Sequence, residues 1–259
     1  MVDNATGRID ELNQIVRENE IFCILTRDSS LQEEACSALS GALEKCSSLK
    51  ADSIDSQNEV LANLALGFEC VLRMLISELK MWILLKQEEP DKAWDYLIEA
   101  QMAASDAARA HKGFTHVRER GKQLEDLERT IFPPQVFFSA GLIVRKQICT
   151  VCGSEYGTCG HIVGRPYWGE FCCIRVEDFE ANHFSMVEDP ADKRCRVITF
   201  EDGLGERNRM TWKVVPPSEK SFEKSSQLNY QVNGSNNLSA PLRSSARLMH
   251  IDTLARRRS

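Results

Sequence analysis

The residues best able to do chemistry fall in one short stretch: Cys149-Thr-Val-Cys152-Gly153-Ser-Glu-Tyr-Gly157-Thr-Cys159-Gly160-His161. Two cysteines separated by two residues can turn both sulfurs toward one centre. Gly153 follows them directly and permits the positive φ that such a turn often needs. Backbone N–H groups in the turn can then donate to the thiolates. Cys159 and His161 flank a glycine, and in an extended segment residues two apart share a face, so both can reach one ion. Gly157 helps the chain fold back between the pairs. Three thiolates and one imidazole match a structural zinc set, with tetrahedral bonds of about 2.3 Å to sulfur and about 2.0 Å to nitrogen. Soft sulfur ligands disfavour magnesium and calcium, and zinc suits a lone Cys₃His set better than iron does. Four protein ligands leave no position for water, which argues against hydrolysis at the metal. The expected cofactor is therefore structural Zn²⁺ held by Cys149, Cys152, Cys159 and His161. The competing readings are reduced cysteines in a small core, or a redox pair at Cys149 and Cys152.

Other groups are more scattered. Cys172 and Cys173 are adjacent, so in a strand they face opposite ways, and one of them could approach the first site as a substitute ligand. Cys172, His183 and Cys195 form a second, dispersed set whose bland reading is core packing. Cys23, Cys36, Cys46 and Cys70 sit at helix-like positions as small buried hydrophobes. His111 and His116 read as surface or packing histidines. The segment Gly164-Arg-Pro-Tyr-Trp-Gly169 carries Tyr167 and Trp168 beside Arg165. It reads equally as a recognition loop, because Tyr, Trp and Arg are enriched at hot spots, or as the lid of a small core.

The elements that must position these groups divide the chain. Residues 1–132 predict an antiparallel helical bundle. Ile9, Leu12, Ile15 and Val16 recur at helical spacing. Ser30 with Glu33 suggests a capped second helix, striped by Leu31, Ala35, Leu39, Leu43 and Cys46. A long third helix is expected from about Asp55 to Lys86, stopped by Pro90. Asp91 is the expected N-cap of a fourth, whose stripe is Trp94, Leu97, Ile98 and Met102, and a last helix spans about Thr115 to Ile131. Trp82, Trp94 and Met102 read as packing residues. Short connections favour up-down neighbours.

Residues 133–215 predict a small zinc-binding β-rich module. One or two strands are expected in Gln135–Lys146, then short strands at Phe171–Val176, His183–Val187, Arg194–Phe200 and Met210–Val215. Residues 216–259 read as a flexible tail with a basic C-terminal segment, in which Arg243, Arg247, Arg256, Arg257 and Arg258 surround Leu248, Met249, Ile251 and Leu254. The fold class is thus α+β.

Composition narrows the function. With 42% hydrophobic residues among 259, most of the chain can pack into a core. The formal charge of -6 lacks the basic field of a nucleic-acid binder, leaving the basic tail as the route to nucleic acid. The first twelve residues are too polar for a secretory signal. The most apolar stretch, Val60–Leu85, is interrupted by Glu69, Arg73, Glu78 and Lys80, each costing roughly 2.5–3.5 kcal/mol at mid-bilayer. A cytoplasmic protein without a membrane span is expected.

Two segments carry a local resemblance. Phe138-Ser139-Ala140-Gly141-Leu142 resembles the serine-bearing strand of phage head-maturation (prohead) proteases. His183-Phe-Ser-Met-Val187-Glu-Asp-Pro190-Ala191-Asp192 resembles the strand and Pro-Ala turn that follow it. Related phage-type sequences carry a Cys-x₂-Cys…Cys-x-His insertion ending in Gly-x₂-Tyr, similar to Gly164–Tyr167. The resemblance covers about residues 135–200. It implies a herpesvirus-protease-like β fold with Ser139 at the nucleophile position. The family's catalytic histidine lies upstream on β structure, whereas here only His111 and His116 lie upstream, in a region that reads as helical. This departure favours a non-catalytic relative.

The resulting expectation is a zinc-binding cytosolic interaction or adaptor protein with a protein partner and a homo-oligomer contact through the bundle. A serine protease using Ser139, or a zinc-module nucleic-acid binder using the basic tail, is the alternative.

Overall fold

The computed structural model describes residues 2–216. Its helices are α1 (Val2–Glu20), α2 (Ser29–Asp55), α3 (Glu59–Lys86), α4 (Pro90–Ala110) and α5 (Val117–Ile131), with a 3-10 turn at Lys112–Phe114. Arg8 near the start of α1 reaches Asp52 near the end of α2, and Gln32 near the start of α2 accepts from Lys86 at the end of α3. Successive helices therefore run back along one another. The apolar stripes close on a common core, with Leu12, Leu39, Leu72, Leu79, Trp94, Leu97 and Leu124 almost wholly buried.

Local boundaries differ from expectation for identifiable reasons. The cap of α2 is Asp28 rather than Ser30: its carboxylate accepts from Ser30 N and Ser30 Oγ, and these bonds hold its pKa below the usual range. A carboxylate also favours the positive end of a helix dipole. The helix α2 persists through Asp55. Gln57 then takes a left-handed φ of 55°, and α3 begins after Asn58, whose side chain accepts from Leu61 N. Pro90 opens α4 instead of merely ending α3, because a proline at the first helical position sacrifices no hydrogen bond. Asp91 does not cap. It accepts from Arg196 and Asn208, both at 2.6 Å, and so ties the helix to the β region.

By length and composition α3 could cross a bilayer, but 72% of its most apolar window is buried by protein. Two of its charged residues are neutralised inside the bundle. Glu69 pairs with Lys50 at 2.7 Å, and Glu78 forms a two-pronged contact with Arg120. Cys23, Cys46 and Cys70 are buried and Cys36 is half-buried. Burial pushes the Cys46 thiol up to about 12, and it raises those of Cys23 and Cys70 as well, as befits inert packing groups.

The β region is dominated by one antiparallel ribbon, β1 (Phe137–Cys149) against β4 (Ile174–Val187), with β2 (Pro166–Tyr167), β3 (Glu170–Phe171), β5 (Thr199–Glu201) and β6 (Glu206–Asn208) forming two small hairpins. The two strands expected at Phe171–Val176 and His183–Val187 are largely one, because β1 pairs continuously and bulges near Gly141 and Val144 absorb the irregular register. Met210–Val215 forms no strand and contributes only a bridge between Arg207 and Val214.

Both ends of the ribbon rest on the bundle. At one end Phe137 lies 6.3 Å from Trp94, whose indole also donates to Lys193 O. At the other, Phe171 and Cys173 join the main core and the Arg109 guanidinium lies over Phe171. The expected flexible tail lies outside the described residues apart from Pro216.

Candidate metal centre

The cysteine- and histidine-bearing segment is the connection between β1 and β4. Cys149 is the last residue of β1, so the ribbon fixes its position. The chain then reverses tightly: Gly153 N donates to Cys149 O at 2.9 Å, and Cys149 N to Ser154 O at 2.9 Å. Gly153 has φ +71°, so the glycine supplies the left-handed residue the turn requires. Tyr156 N then bonds Gln147 O. Gly157, at φ +99°, sends the chain back toward Cys159. This return is a series of bends rather than an extended strand, so Cys159 and His161 converge through the loop's path and not through strand alternation.

The ligand atoms of Cys149, Cys152, Cys159 and His161 all lie within 4.8 Å of one another. Bonds of about 2.3 Å around a tetrahedral ion imply sulfur–sulfur edges of about 3.8 Å, so the four side chains lie close enough to hold a metal ion. A second observation points the same way. His161 Nδ1 is buried and has no hydrogen-bond partner, and a buried polar atom seldom stays unpaired unless a ligand satisfies it. The His161 ring is held edge-on by Tyr167, with centroids 4.8 Å apart. The Tyr167 hydroxyl in turn accepts from Ile162 N at 3.1 Å. The donor set and its geometry fit zinc.

The electrostatics are uneven across the cluster. At Cys152 the Ser154 backbone N–H lowers the thiol to about 6, with the Ser154 hydroxyl, His161 and Cys149 adding to the effect. At Cys159 the His161 N–H favours the thiolate, but burial and the neighbouring Cys152 and Cys149 sulfurs push it up overall. Crowded sulfurs cannot all ionise without a cation among them. A divalent ion would relieve that repulsion.

A small core supports the site: Cys149, Val163, Cys172 and Ile174 are buried together, with Val151, Tyr156, Cys159, Tyr167 and Val176 around them. Cys172 Sγ lies 3.7 Å from Cys149 Sγ, an edge length that two ligands of one ion would show. It does not share the mutual 4.8 Å grouping of the other four. Burial first, then Cys149, pushes its thiol up to about 12. Its neighbour Cys173, in the link between β3 and β4, turns instead into the bundle core.

No protein-family model, curated protein or solved structure matches this chain.

The remaining sequence candidates do not converge. The set Cys172, His183 and Cys195 is dispersed: Cys172 lies in the metal loop, His183 covers Gly141 within the ribbon, and Cys195 lines a cleft with Tyr96, Asp192 and Arg194. Ser139 pairs with Ser185 in the ribbon, and among the described residues no hydrogen bond joins it to an imidazole. His111 and His116 instead flank the Phe114 ring.

The aromatic loop has a role that its composition did not reveal. Tyr167 faces inward onto His161. At the turn between β2 and β3, Trp168 takes a left-handed φ of 49°, and its N–H lies 3.3 Å from Glu59 Oε1. Gly169 N donates to Asn63 Oδ1 at 2.8 Å. The loop that carries Cys152, Cys159 and His161 therefore docks on α3 through backbone groups. Gly169, at φ +78°, lies against Lys50 and the Ala62 carbonyl, and this glycine is the one sequence signal that could have revealed the contact.

Proposed function

We propose that this chain binds one structural zinc ion through Cys149, Cys152, Cys159 and His161, and that the metal-held loop and its ribbon serve as an interaction module. The observation that carries the metal assignment is the convergence of four ligand atoms with an unpartnered, buried His161 Nδ1. When bound, zinc supplies a cross-link between the turn after β1 and the loop before β2. A saturated Cys₃His set is the structural kind, because no coordination position remains for substrate.

The physical need for such a cross-link is plain. The loop's own core comprises only four buried residues, too few to hold a loop of this length by apolar burial alone. The interaction reading is favoured by the large apolar side chains that the ribbon and the docked turn leave exposed, Phe184, Met186 and Trp168.

The test is amide hydrogen exchange before and after chelation. Removal of zinc is expected to deprotect the amides of Cys149, Tyr156 and Gly164, whose acceptors lie within the module, while α3 and α4 stay protected. Unchanged exchange in this loop after verified metal removal would overturn the structural role.

A further inference from the structure

We propose that the outward face of the β1–β4 ribbon is the contact through which two copies of this chain associate. The register decides which side chains share that face. Phe138 pairs with Met186, Ala140 with Phe184, Leu142 with Ala181 and Val144 with Phe179. Paired residues lie on the same side of a ribbon, and alternate residues along β1 return to that side. The skipped residue at the first bulge, Asn182, is on β4, so alternation along β1 through Leu142 and Val144 is unbroken. None of these outward residues is polar. The opposite side carries Phe137 and Val187 packed on the bundle, then Ser139, Ser185, Gly141 and His183, and past the first bulge Ile143 and Glu180, both exposed.

This inverts the usual pattern, in which the solvated face of a two-layer arrangement is the polar one. Phe138, Phe179, Phe184 and Met186 are 41%, 40%, 61% and 71% exposed. Taking about 200 Å² per large side chain, they leave roughly 400 Å² of apolar surface, within the range of patches that are often functional.

Three features select a second copy as the occupant. The first is shape. Ala140 lies opposite Phe184, and Ala181 lies two pairs from Phe179, its next neighbour on that face. Small and large residues therefore alternate, and a two-fold axis can set the knob of each copy into the hollow of the other. The second is charge. Glu180 lies opposite Ile143 on the other side of the ribbon and pairs with Arg145, and beyond the patch Lys146 pairs with Glu177. Apposing two identical faces then adds no unpaired like charge. The third is area. Two such patches remove about 800 Å² of apolar side chain, and the intervening backbone and smaller residues bring the total toward the roughly 1,200 Å² of a small specific interface. This contact is distinct from the bundle-mediated oligomer expected from the helical stripes, and it does not depend on metal.

The test is sedimentation velocity of the full chain, kept reduced, from about 1 to 100 µM. Wild type is expected to shift from monomer to dimer across this range. Phe184→Ser, which restores a polar residue on the exposed face, is expected to weaken dimerisation at least tenfold with unchanged helical circular dichroism. Val60→Glu, an exposed position on α3, should dimerise as wild type does. A photoreactive benzoylphenylalanine at position 184 provides an independent readout, with cross-links expected between copies to the peptide containing Ala140. Wild type that remains monomeric, Phe184→Ser that dimerises equally well, or cross-links confined to one copy would overturn the proposal.

Discussion

Gly169 is the tightest point at which the Cys/His loop meets the bundle, and replacing it gives a quantitative test. Gly169 has φ +78°. A residue with a Cβ in that region costs roughly 1–2 kcal/mol. The added Cβ would lie 2.7 Å from Lys50 Cδ, 2.9 Å from Lys50 Cγ and 3.3 Å from the Ala62 carbonyl oxygen. Lys50 is a flexible side chain, but its Nζ is engaged with Glu69 at 2.7 Å, so moving it disturbs a partly buried ion pair. The Ala62 carbonyl belongs to α3 and cannot move freely. Any retreat of the loop also lengthens the 2.8 Å bond from Gly169 N to Asn63, worth about 1 kcal/mol. Gly169→Ala is therefore expected to destabilise by about 2–3 kcal/mol, and Asn63→Ala by about 1 kcal/mol. In urea unfolding with metal present, the double variant should cost less than the two singles combined, because both remove the same contact. Gly169→Ala at wild-type stability, or strict additivity with Asn63→Ala, would refute docking through this turn.

Two further outcomes follow from buried groups. Arg120→Met strips the cation from Glu78, whose carboxyl is fully buried, at an expected cost of about 3–5 kcal/mol near neutral pH. Burial already raises the Glu78 pKa against the pull of Arg120; the folded state thus holds this proton more tightly than the unfolded chain, and stability gained from it grows as pH falls through the folded pKa. The penalty of Arg120→Met, read by helical circular dichroism in urea, should accordingly shrink between pH 7 and pH 5; a penalty independent of pH would count against a buried ion pair. At the metal loop, Cys172→Ala should retain one bound metal with weakened affinity, because its thiol touches Cys149 without joining the mutual ligand set. Loss of all metal from Cys172→Ala, with the bundle intact, would instead make it a primary ligand.

The helices were legible because burial and periodicity coincide: Leu39, Leu79, Leu97 and Leu124 recur on faces that close on each other. Their ends were less legible, because Asp28 outcompetes Ser30 as a cap and Asp91 is recruited by Arg196 and Asn208 from more than 100 residues away. The clustering of Cys149, Cys152, Cys159 and His161 could be read from spacing alone, since they lie within thirteen residues at the end of β1 and in the turn after it, whose path Gly153 and Gly157 dictate. The strand boundaries could not, because bulges break the two-residue period on which such reading depends. The loop's docking was invisible for a different reason: backbone N–H groups make it, and every residue but proline has one.

The most direct test of the central claim is metal content by plasma mass spectrometry on protein purified without added metal, beside a Cys159→Ser, His161→Ala variant. The account predicts about one zinc per wild-type chain and none in the variant, with the helical signal preserved in both. Well-folded wild type that carries no zinc, or a variant that retains it, would contradict the assignment of Cys149, Cys152, Cys159 and His161 as a structural metal centre.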